Sequence, residues 1–161
     1  MNQSMEESVL GIVPHMNLKT GLFSSKEFTL VVTNQRVIFA RLSKEMVKQT
    51  HKEAVENSKA ENKGYWERSM MGYAAVNQIS AAYESMHPEE IIQEHPDNFF
   101  VPGQYIKKVT FKLGDNQTGE SSNRGTDAMV VTTHSEKLKL TTHGLKVKDV
   151  KDLFYRAAIY I

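Results

Sequence analysis

The sequence predicts an α+β fold, with antiparallel strands in two blocks, a long helical insertion between them and a closing amphipathic helix. Three observations predict it. The run Phe28-Thr-Leu-Val-Val-Thr-Asn-Gln-Arg-Val-Ile-Phe-Ala-Arg41 sets apolar strands on either side of a Thr33-Asn34-Gln35-Arg36 corner. From Ser43 to Ser85 the chain is rich in Lys, Glu, Gln, Ala, Met and Asn and has no proline, which reads as helix. At the end, Val147, Val150, Leu153, Phe154, Ala157 and Ala158 recur at helical spacing as one apolar stripe.

The first block opens on Val9-Leu10-Gly11-Ile12-Val13, and Lys19-Thr-Gly-Leu-Phe23 supplies a further short strand before a Ser24-Ser25-Lys26 turn. In the strand Phe28 to Val32, alternation puts Phe28, Leu30 and Val32 on one face and Val31 on the other. In Val37 to Leu42, Val37 and Phe39 oppose Ile38, Ala40 and Leu42. Apolar residues on both faces predict cover on both sides. About four strands thus precede the insertion.

The insertion spans residues 43–96. Its first half, Lys44 to Lys63, is highly charged, and Lys52, Lys59 and Lys63 fall near Glu56 at helical spacing, as on a solvated face. Gly64 interrupts it. From Tyr65 to Tyr83 the pattern is amphipathic, with Trp66, Met70, Tyr73, Val76 and Ile79 on a stripe. A short helix follows, with Pro88 in its first turn and Glu89 and Glu90 at its positive end, and it stops before Pro96.

Asn98 to Gly103 is an extended lead-in to the second block. There Tyr105, Val109, Phe111 and Leu113 align on one strand face, and Lys108, Thr110 and Lys112 on the other. Gly114 to Gly125 is polar and Gly/Asn/Ser-rich, a loop. Ala128 to Thr133 is the next strand, and in the last one Leu138 and Leu140 alternate with Lys137, Lys139 and Thr141.

Composition narrows the function. With 161 residues, 40% apolar and 24% charged, the chain has ordinary globular usage and the length of one domain. Its 20 Lys+Arg nearly cancel 19 Asp+Glu, so whole-chain charge gives no reason to expect a nucleic-acid partner. Zero cysteines exclude disulfides and thiolate chemistry. The N-terminus shows no signal-peptide pattern, and no apolar run approaches the ~18 residues of a spanning helix, so a soluble, cytoplasmic chain is expected.

No nucleophile elbow, phosphate loop or dinucleotide fingerprint occurs, so neither catalysis nor a cofactor is expected. The histidines are not paired at i, i+4 as a helical metal site requires. His87 and His95, beside Glu89, Glu90 and Glu94, form the one His/carboxylate grouping, and read as terminal residues of a polar helix rather than ligands.

The segment Thr29-Leu-Val-Val-Thr-Asn-Gln-Arg-Val-Ile-Phe39, the entry Phe100-Val-Pro102 before Tyr105-Ile-Lys-Lys-Val109, and the terminal helix together resemble the pleckstrin-homology-like family of the prokaryotic, GRAM-related kind. The resemblance covers residues 6–42 and 99–161 as one domain. It implies a strongly bent antiparallel barrel of about seven strands with one end plugged by the C-terminal helix, and it places the insertion between the fourth and fifth strands. Members of the family bind lipids or proteins. The phosphoinositide-binding version uses a Lys/Arg cluster beside the first hairpin, where this chain has only Lys19 and Lys26, with Arg36 and Arg41 further on.

The expected role is a non-catalytic binding module. The first candidate face is Tyr65, Trp66, Met70, Met71 and Tyr73, for a protein partner or a second copy, because large adaptable side chains suit interfaces. The alternative is an anionic lipid surface met by Lys108, Lys112, Lys137 and Lys139, which share one sheet face if their strands pair. The Thr33–Arg36 corner is expected to be structural, with Asn34 serving the turn.

Overall fold

The computed structural model describes residues 5–60, 77–114 and 126–159. The chain order is β1 (Val9–Lys19), β2 (Ser25–Thr33), β3 (Arg36–Arg41), α1 (Lys44–Ala60), α2 (77–82), α3 (Pro88–Gln93), β4 (Phe99–Pro102), β5 (Ile106–Lys112), β6 (Asp127–Thr133), β7 (Lys137–Thr142) and α4 (Val147–Arg156). One-turn 3₁₀ segments follow α2 at Tyr83–Ser85 and β4 at Gly103–Tyr105. The seven strands form one open antiparallel sheet in the order β4-β3-β2-β1-β7-β6-β5.

Two expectations change. The stretch Lys19–Phe23 is not a separate strand. β1 runs on to Lys19, and the chain turns at 20–24, where the Thr20 and Gly21 amides both donate to the Ser24 carbonyl. Conversely, the lead-in at Asn98–Gly103 supplies β4, paired with β3 from Arg36 opposite Pro102 to Phe39 opposite Phe99. Pro102 is tolerated because β4 is an edge. The insertion therefore enters between the third and fourth strands, not the fourth and fifth.

One core takes side chains from both halves of the sheet. Leu30, Val32 and Phe39 belong to it with Val109, Met129, Val131 and Leu140, and α4 contributes Val150, Leu153 and Phe154. The α4 stripe is buried as its spacing predicts. Ala158 is the exception: it lies beyond the helix end, exposed and in the left-handed region at φ 57°. Phe39 stacks on Phe99 at 4.4 Å, and Phe28 meets both rings edge-on.

The opposite face of β2–β3 is also covered. Val31, Ile38 and Ala40 form a second core with Tyr83 and Ile91, so the returning end of the insertion packs on its own sheet. A buried Thr29–Ser80 hydroxyl pair at 2.7 Å anchors α2 beside it. α1 starts where the Ser43 hydroxyl accepts from the Met46 amide, a helix N-cap.

β1 is shared by the two halves of the sheet. It pairs with β2 along most of its length but with β7 only at Asn17 and Leu18. Its register with β2 slips between Val13 and Met16, where Pro14 lacks an amide donor and His15 sits at φ 58°. The His15 ring is held at both nitrogens, 3.3 Å from Glu27 Oε1 and 3.2 Å from Asn77 Oδ1.

Candidate docking surface

Strand alternation and register bring the four lysines together. Thr132 of β6 lies between Lys108 of β5 and Lys137 of β7, Val130 lies between Thr110 and Lys139, and Lys112 stands beside Ala128. Val109, Met129, Val131, Leu138 and Leu140 point the other way, into the core. Lys108, Lys112, Lys137 and Lys139 are therefore exposed on one outer face, as alternation predicts. Tyr105 and Leu113, predicted on the inward row, are instead exposed at the ends of β5.

Sequence reasoning missed what adjoins this face. Leu22 and Phe23 sit at the tip of the β1–β2 turn, 78% and 97% exposed. The tip and the outer face of β6–β7 border one cavity of ≈ 390 Å³, lined in part by Leu22, Phe23, Val130 and Lys139. An apolar pair at such a tip has no core to enter, because Lys19 and Ser25 already pair in the ladder beneath it. The signal that marks it is a large apolar pair enclosed by Thr20-Gly21 and Ser24-Ser25, turn chemistry that a strand would not carry.

The Thr33–Arg36 corner does more than turn. The Ser8 amide donates to Asn34 Oδ1, Asn34 Nδ2 donates to the Glu6 carbonyl, and Gln35 Nε2 donates to the Met5 carbonyl. Asn34 thus binds the segment leading into β1 as well as serving the turn. Arg36 Nε and Nη2 each donate to a Glu7 carboxylate oxygen at 2.8 Å, Nη2 also reaches Glu89 of α3, and the guanidinium lies 4.4 Å from the Phe100 ring centroid. These groups are engaged with one another, which makes the corner a clamp; a hollow of ≈ 550 Å³ lies beside it, lined by Glu7, Arg36, Glu89 and Phe100 among others.

Burial alone would push the Glu7 carboxyl up. The hydrogen bonds from Arg36 and Thr33, with the guanidinium charge, outweigh it and hold the group below its ordinary value. Arg36 is in turn held in its charged form against burial by Glu7 and Glu89. A carboxyl with a lowered folded pKa contributes stability above its unfolded pKa and loses it as pH falls. Resistance to urea should therefore drop as the pH is lowered past 4.5, and Glu7→Gln should flatten that acid limb. Parallel pH curves for the two proteins would contradict the clamp.

The histidine grouping resolves into one helix cap and one turn. The His87 ring accepts from the Glu89 amide at the start of α3, and His95 Nδ1 accepts from the Asp97 amide. Among the described residues no group of three or more His, Asp or Glu is placed to hold a metal ion. The candidate face Tyr65, Trp66, Met70, Met71 and Tyr73 lies outside the described residues, as do residues 115–125 of the Gly114–Gly125 loop.

No described helix is long and apolar enough to cross a membrane. No family model matches the chain, and no curated protein matches it. Among solved structures it is similar to the C-terminal domain of an unknown protein from Leishmania infantum. That match has 10% identity and a TM-score of 0.45, and covers 94% of this chain and 85% of that one.

Proposed function

We propose that this chain is a non-catalytic, PH-like docking module, a bent barrel with α4 at one end, that settles on an anionic membrane surface in the cytoplasm. The observation that carries this reading is the exposed Leu22–Phe23 tip beside the outer lysine face, with both bordering one cavity. A lysine near anionic headgroups contributes about 1 kcal/mol, and an aromatic and an aliphatic side chain at the tip add apolar burial in the interface. The module thus combines a charge signal with an insertion signal. Association with another protein or a second copy, through Tyr65, Trp66, Met70, Met71 and Tyr73, rests on the sequence alone.

The test is co-sedimentation with phosphatidylcholine vesicles, with and without phosphatidylserine. The protein should pellet with the anionic vesicles only, and less so as salt is raised. Lys137→Glu and Lys139→Glu should each weaken binding about fivefold or more. Phe23→Ser should weaken it while leaving the salt dependence in place. Equal, salt-insensitive pelleting on both vesicles would sink the proposal.

A further inference from the structure

A second surface lies at the free edge of the same half-sheet. β5 ends the hydrogen-bonded order, and among the described residues no strand pairs with its outer side. A free edge presents a row of backbone donors and acceptors, a template for another strand. α4 does not close over this edge. An open groove of ≈ 970 Å³ runs between them, lined by Val109, Thr110 and Phe111 from β5, Lys151 and Tyr155 from α4, and Ile159.

The groove specifies its occupant. Its walls are largely apolar: Phe111 is half-buried, and Tyr155 stands 82% exposed with its ring free to cover a guest. Its charge is positive, since Lys151 Nζ lies 5.8 Å from the Phe111 ring centroid. Asp149 and Asp152 do not line the groove; they border an adjoining hollow on the flank of α4 with Arg156, and Tyr155 lies between the two. A second copy pairing through its own β5 would set Lys107, Lys108 and Lys112 against like charges, which is unfavourable. An acidic strand meets no such penalty.

We propose that the β5–α4 groove binds an extended acidic–apolar peptide of a partner protein, which adds as an eighth strand beside β5. Main-chain hydrogen bonds to the β5 edge supply affinity, the row of alternate side chains that faces the groove sets apolar groups along Phe111 and Tyr155, and one carboxylate in that same row pairs with Lys151. This site goes beyond the membrane reading and uses different residues.

The probe is a labelled, end-blocked peptide, Thr-Phe-Thr-Asp-Thr-Val-Thr, whose Phe, Asp and Val share one face of a strand, titrated against the whole protein by fluorescence anisotropy. It should bind about tenfold or more tightly than the same peptide with lysine for the aspartate. N-methylation of alternate peptide bonds, on the side facing β5, should abolish binding. Lys151→Glu and Tyr155→Ser are exposed substitutions that leave the core intact; each should weaken the acidic peptide without changing pelleting on anionic vesicles. The proposal is overturned if the acidic probe does not bind, or if the lysine or N-methylated peptide binds equally well. Undiminished binding to both groove variants would overturn it too.

Discussion

Phe154→Ala is expected to cost about 3–5 kcal/mol of folding stability, the range for deleting a buried aromatic side chain. The ring is 0% exposed and lies in the core that both halves of the sheet share. Its removal leaves a void in the core to which β1, β2 and β5–β7 all contribute, and the strands are held by ladders that limit collapse into it. A domain of ordinary marginal stability would lose a large share of its total. The control is adjacent: Tyr155→Ala removes a ring that is 82% exposed and should change stability by about 0.5 kcal/mol or less. Urea unfolding of both variants decides it, and equal midpoints would show that α4 does not hold the core.

Tyr83→Ala should be comparably costly, about 3–5 kcal/mol, for a different reason. Tyr83 is 1% exposed in the second core, where the insertion returns across the outer face of β2–β3. Without it Val31, Ile38 and Ala40 lose their cover. Hydrogen exchange should then rise first over α2 and α3, while β5–β7 stay protected longer. Uniform loss of protection would instead mean that the two cores melt as one unit.

Tyr83→Phe separates packing from polarity. The phenol donates to Glu94 Oε2 at 2.6 Å, and because Glu94 is exposed and regains water, losing that bond should cost only about 1 kcal/mol. Burial, then the neighbouring Glu94 carboxylate, pushes the phenol's ionisation well up, so the folded state resists losing the proton. The unfolded chain releases it near 10.0, so alkali above that pH should destabilise the natural protein more than Tyr83→Phe.

Much of the sheet is legible in the sequence because burial on both faces leaves unbroken apolar runs. The α4 stripe follows from period alone, the β2–β3 hairpin from period and the corner between its strands, and the common lysine face from period once β5, β6 and β7 pair. β1 is harder to read, since Pro14 and His15 interrupt its pattern, and a bulge that keeps a strand going resembles a break. β4 is short and contains Pro102, so it reads as a lead-in until its pairing with β3 is seen. Leu22 and Phe23 read as the end of a short strand, Lys19 to Phe23, because local pattern carries no information on whether a partner strand reaches them. The Glu7–Arg36 pair joins groups far apart in sequence, and nothing local marks it.

The placing of β1 also governs how the chain can fold. β1 must lie against β7, at Asn17 and Leu18 opposite Thr141 and Leu140, so the sheet cannot be completed until the chain has been made as far as β7. β3 likewise waits for β4 across the entire insertion. Contacts of such long range slow folding. During synthesis the β1–β2–β3 hairpins would emerge with unpaired edges and an uncovered apolar face, the state most open to aggregation. The Met5–Ser8 segment, hydrogen-bonded to Asn34 and Gln35, requires only early parts of the chain, and can stabilise that half-sheet while the rest is being made.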